Sequence, residues 1–131
     1  MIQRFTAKFL STFLAFLFLA ALVYAQPNGE QLFKANCVQC HSTTDAKVVG
    51  PGLKDILKRR TIEWIIPWVH DNKKVIASGD AYAVKVFEAN NKTPMTTFPG
   101  LKDDEIKAII AYVKEEGDKA PAPAAATLEG F

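Results

Sequence analysis

Both cysteines of this 131-residue chain fall within one five-residue stretch, Cys37-Val38-Gln39-Cys40-His41. On a helical turn, residues at i and i+3 face the same way, and a residue at i+4 from the first stands beside them. Whatever the chain folds into must therefore serve a tight triangle of two thiols and one imidazole. Four chemistries use such a triangle: a reactive dithiol, a zinc site, a local disulfide, and thioether attachment of haem with the histidine on its iron.

The pattern of apolar residues excludes some of these. Leu32 and Phe33 lead a short helical stripe over Gly29–Gln39 straight into the cysteines. Residues 42–57 then break into a loop whose strongest turn signal is Gly50-Pro51-Gly52. A second helix is predicted from Thr61, a suitable cap, with Ile62, Ile65, Ile66 and Val69 on overlapping faces and a kink or early end at Pro67. A third spans Asp80–Asn90 and stops at Asn90-Asn91, because asparagine tolerates the left-handed conformation. Lys92–Gly100, with Pro94, Met95 and Pro99, is irregular. The last helix is the clearest: Ile106, Ile109, Ile110 and Val113 recur at helical spacing, and Asp103, Asp104 and Glu105 complement its positive start. No segment alternates as a strand does, and no internal repeat is visible. The expected fold is all-α, with about four helices in one domain over residues 26–116 and a flexible Pro/Ala-rich tail over 117–131.

Residues 1–25 have a different character. Arg4 and Lys8 are their only charges, an apolar run follows from Phe9, and Val23-Tyr24-Ala25 offers a small residue at the cut. This is the layout of a secretory signal peptide, so the protein is expected to be periplasmic or otherwise exported. The alternative is an uncleaved membrane anchor. Phe9–Ala25 is 17 residues interrupted by Ser11 and Thr12, at the bottom of the ~17 to 25 residues that span a bilayer. Removing Arg4 and Lys8 from the 16 basic residues leaves 14 against 14 acidic ones, so the net charge of +2 belongs to the leader. Nucleic-acid binding through a basic surface has no support. Lys58-Arg59-Arg60 and Lys73-Lys74 read as solvated faces.

With strands missing, Cys37 and Cys40 lack the strand-to-helix setting of a thioredoxin-like dithiol. The ligands for zinc amount to Cys37, Cys40, His41 and His70, and placing the neighbours Cys40 and His41 on one tetrahedral ion is strained. A disulfide would close too small a loop to stabilise much. Covalent attachment of one haem c is the reading that remains, with Cys37 and Cys40 bonded to the porphyrin and His41 on the iron. Once Met1 leaves with the leader, Met95 is the one methionine. A soft thioether in an irregular loop suits the opposite axial position; its alternative is a gap-filling core residue. His70, beside Asp71 and Asn72, reads as a surface or capping histidine.

The ordered set of Gly29, Phe33, CVQCH at 37–41, GPGL at 50–53, Trp64, Met95 and Tyr112 resembles the class I, single-haem cytochromes c over roughly Gly29–Lys114. That resemblance implies further roles. The carbonyl of Pro51 would orient His41, Gly29 and Phe33 would cross the last helix near Tyr112, and the Trp64 indole would pack by a haem propionate. For Trp64, ordinary core packing beside Trp68 is the equal alternative, and for Tyr82 and Phe98 packing is the better reading. The implied function is electron transfer rather than catalysis, with His41 and Met95 closing the iron's coordination. The implied partners are redox proteins, a quinol-oxidising complex as donor and a terminal oxidase or other reductase as acceptor. Pro67 and the Pro/Ala tail depart from the family's minimal pattern.

Overall fold

The computed structural model describes residues 27–119. The predicted leader, Gln26 and residues 120–131 lie outside them. Five helical segments follow one another: α1 Gly29–Asn36, α2 Ile56–Arg59, α3 Ile62–Ala77, α4 Ala81–Ala89 and α5 Asp103–Lys119. Among the described residues there is no strand, only an isolated bridge between His41 and Lys47. The all-α expectation of about four helices thus holds, with the single turn of α2 added across the end of the predicted loop.

Local chemistry sets most boundaries. Asn28 caps α1, its side-chain oxygen accepting the Gln31 N–H at 3.0 Å. At the start of α5 the Glu105 carboxylate reaches back to the Lys102 N–H at 2.8 Å, which satisfies a donor that the helix itself cannot. Asn90 ends α4, and Asn91 and Lys92 both take left-handed backbone, φ 56° and 57°.

Three boundaries differ from the sequence reading. Helix α1 stops at Asn36 rather than Gln39, because Cys37 leaves the helical region at φ −120°, ψ −32°. Helix α3 is not broken at Pro67: Pro67 and Glu63, the residue whose carbonyl loses its partner there, are both exposed residues, where solvent can replace the lost bond. Its interruption falls at Asp71, which has extended backbone at φ −156°, ψ 79°. Helix α5 runs to Lys119, three residues into the segment composition assigns to the tail, and Gly117 is buried there near the Thr43 carbonyl.

Helix α5 is the central element and buries two faces. Ile109 and Val113 pack with Phe33 of α1, and Ile106 and Ile110 pack with Ile65 of α3. Each of these side chains contributes about 2 kcal/mol on burial. The crossing of α1 and α5 is close because Gly29 lies directly over the Ala108 carbonyl, and Phe33 meets the Tyr112 ring at 5.6 Å. Together with Ala83, these make seven buried hydrophobic residues among those described. That is a thin core for a domain of this length, of the kind a bound cofactor completes.

Asp80 joins α3 to α4. Its Oδ1 accepts the Ala83 N–H at 2.8 Å and its Oδ2 accepts the Trp64 indole N–H at 3.2 Å. The Ala83 bond, and after it the Trp64 bond, hold the carboxyl below its ordinary value of 3.8. A carboxyl whose folded value is depressed stabilises the fold above the unfolded value, and the contribution disappears as pH falls through the folded one. Asp80→Asn, which caps without titrating, is therefore expected to flatten the fall in melting temperature between about pH 6 and about pH 3. Equal slopes in parent and variant would remove Asp80 from the acid response.

Candidate functional site

The CVQCH segment is a turn hung on the end of α1. The Cys40 and His41 N–H groups both donate to the Cys37 carbonyl, at 3.0 and 2.8 Å. The chain then doubles back. Gly50 N–H donates to the Cys40 carbonyl at 2.8 Å, Leu53 N–H to the Ser42 carbonyl at 2.9 Å, and Lys54 N–H to the Thr44 carbonyl at 3.1 Å. Hydroxyls of Ser42 and Thr44, 2.7 Å apart, shape the tip, and the Arg59 guanidinium binds the Gly52 and Lys54 carbonyls from α2. The single turn of α2 thus braces the loop.

This double-back brings the Gly-Pro turn onto the histidine. His41 Nδ1–H donates to the Pro51 carbonyl at 2.8 Å. A Cβ on Gly50 would lie 2.5 Å from His41 Cε1, so the backbone of residue 50 forms one wall of the imidazole's seat. With Nδ1 committed as a donor, Nε2 keeps the lone pair that a metal requires, and the Pro51 bond fixes the ring's orientation and makes it a better electron donor to a metal.

Cys37 and Cys40 are free and half-buried. Burial, and then the neighbouring Cys40, push the Cys37 thiol up to about 11. A thiol held neutral at physiological pH is the opposite of an activated dithiol. Among the described residues no three His, Cys, Asp or Glu side chains gather as a zinc site would require. His70 instead donates to the Leu101 carbonyl at 2.8 Å. What the turn does offer is two thiols beside an oriented imidazole, which is the donor set of covalent haem attachment.

The remaining predicted residues lie in two other clusters. Trp64 stacks on Trp68 with centroids 5.1 Å apart and meets the Tyr82 edge at 5.3 Å, while the Arg60 guanidinium lies 3.4 Å from the Tyr82 ring centre. The Trp64 indole N–H is engaged by Asp80. Met95 is half-buried in the irregular segment after α4, and its carbonyl accepts the Asn72 amide N–H at 2.8 Å. Asn72, wholly buried, has no role of its own in the sequence analysis, where it stands only as a polar neighbour of His70 beyond the apolar pattern that ends at Val69.

A family model described as cytochrome c matches residues 27–116. The fold and the Cys37, Cys40, His41 turn define a haem protein of the electron-transfer class, and the chain belongs to the cytochrome c family, with one haem c attached covalently. Its relatives include a cytochrome c6 of Diacronema lutheri, 33% identical over 87 residues that make up 66% of this chain and 89% of that one. A cytochrome c6 of Cyanidium caldarium is 35% identical over 92 residues, 70% of this chain and 72% of that one. Among solved structures, a cytochrome c from Rhodothermus marinus superposes with a TM-score of 0.61 at 27% identity, covering 71% of this chain and 77% of that chain. A cytochrome c domain from Pseudomonas putida follows at 0.57 and 29%, covering 67% and 86%. The haem supplies a one-electron couple at its iron, and the protein is a haem-based electron-transfer protein.

Proposed function

We propose that His41 and Met95 are the two axial ligands and that the protein is an exported single-electron carrier between redox proteins. The observation that carries this is the Nδ1–H bond of His41 to Pro51 at 2.8 Å. It fixes the tautomer, turns the ring, and leaves Nε2 as the free donor. Met95 is the thioether available to the described chain, and its loop is tied to α3 through Asn72. An iron held by two protein ligands has no open position for a substrate, so change of oxidation state is the chemistry left to it. A thioether opposite the imidazole raises the potential. In that range the carrier takes electrons from a quinol-oxidising complex and passes them to a terminal oxidase or other reductase. Such encounters are brief and use small interfaces.

Export rests on the leader read at residues 1–25. Among the described residues no helix is long and apolar enough to cross a membrane.

The test is the near-infrared sulfur-to-iron charge-transfer band of the ferric protein. We expect it at neutral pH and expect its loss in Met95→Ala; an unmutated protein without the band would sink methionine ligation. Intact mass of the same exported preparation is expected to show a chain beginning at Gln26 plus one haem. A mass that retains residues 1–25 would instead favour the anchored form.

A further inference from the structure

The interruption of α3 at Asp71 falls where three neighbouring residues reach the Met95 loop. Val69 offers its carbonyl to the Phe98 N–H at 2.9 Å. His70 Nε2–H donates to the Leu101 carbonyl at 2.8 Å. Asn72 Nδ2–H donates to the Met95 carbonyl at 2.8 Å. Asp71 itself starts the helix afresh, its Oδ1 accepting the Lys74 N–H at 3.1 Å as an N-terminal cap does. In an unbroken helix the carbonyl of Val69 would belong to residue 73 and the side chains of 70 and 72 would point 200° apart. The extended backbone at Asp71 is what brings all three to bear on one loop.

Asn72 is the member of this set whose presence is hardest to explain by packing. It is 0% exposed, and its Oδ1 is buried with no hydrogen-bond partner among the described residues. An orphaned buried acceptor is costly, and an apolar side chain of the same shape would avoid that cost. The carboxamide is tolerated for what its other end does, which is to hold the backbone of residue 95.

We propose that Asn72 is a positioning residue for the axial methionine. By fixing the Met95 carbonyl, with Val69 and His70 fixing Phe98 and Leu101 behind it, Asn72 limits how often the thioether leaves the iron. The inference rests on Met95 being the sixth ligand. Its consequence is a population: a loop released from α3 spends more time open, and an external ligand then captures the iron more readily.

The measurement is the affinity of the ferric, haem-loaded protein for added imidazole, followed by loss of the near-infrared band. Asn72→Ala is expected to bind imidazole about tenfold more tightly, as removal of one buried hydrogen bond implies. Ile109→Val, which weakens the core at the α1 and α5 crossing away from the loop, is the control for general loosening and is expected to keep the parent affinity. Should Asn72→Ala not fold, the isosteric Asn72→Asp removes the amide donor at constant volume and is expected to shift the affinity in the same direction. Asn72 variants within twofold of the parent, or a shift matched by Ile109→Val, overturn the proposal. If the parent itself shows no band, methionine ligation fails first, and imidazole then binds parent and variants alike.

Discussion

A Gly29→Ala chain melts about 15 °C below its parent, a loss of about 3 kcal/mol. Two effects compete at this position. Alanine is the better helix former by about 1 kcal/mol, and Gly29 is the first residue of α1. Against that, the new Cβ would lie 2.1 Å from the Ala108 oxygen and 2.7 Å from its carbon. Both partners are backbone in the middle of α5, so neither can rotate aside. The helices have to separate by more than an ångström of overlap, and with them Phe33 leaves Ile109 and Val113. The clash therefore outweighs propensity. Thermal unfolding followed by far-ultraviolet circular dichroism decides the matter, and a variant as stable as the parent would mean that the crossing is not as close as described.

Gly50→Ala is the second large effect, and it falls on the iron rather than on the core. The added methyl would meet His41 Cε1 at 2.5 Å and both ring nitrogens at 3.0 to 3.1 Å. The backbone cannot yield, since Gly50 N–H is bound to the Cys40 carbonyl at 2.8 Å. The imidazole must turn, and its bond to Pro51 lengthens. Losing that bond makes Nε2 a poorer electron donor, which disfavours the ferric iron most. The reduction potential is expected to rise, by about 59 mV for each factor of ten by which the ferric form is weakened relative to the ferrous. A spectroelectrochemical titration measures it. A lower melting temperature with an unmoved potential would show that Gly50 merely makes room.

The parts legible in the sequence are those whose physics is local. The Cys37, Cys40, His41 spacing, the Gly50-Pro51 turn and the apolar period of Ile106, Ile109, Ile110 and Val113 each depend on neighbours a few residues away. The interruption in α3 does not. Pro67 carries the strongest local signal for a break, yet Pro67 and Glu63, the residue whose carbonyl it deprives, are both exposed, so nothing forces the helix to end. Asp71 and Asn72 carry almost no signal, because their role depends on a loop more than twenty residues further along. Trp64 illustrates a related limit. Its indole N–H needs an acceptor, and nothing local in the sequence points to the Asp80 carboxylate, sixteen residues on, that receives it in the structure. The end of α5 was obscured by composition: Gly117 looks like the start of a tail until it is seen buried near Thr43, a residue of the loop that follows the CVQCH turn.

The crossing of α1 over α5 also sets an order of events in the making of the protein. The thiols that receive the haem lie within a few residues of α1, near the front of the domain, whereas the surface that covers Phe33 comes largely from its last helix. As the chain emerges from its start, Cys37 and Cys40 are presented long before Ile109 and Val113 exist to enclose α1. Contacts this distant in sequence form late and slowly. The thiols are thus open to attachment while the chain is still loose, and the core closes behind them when its far end arrives.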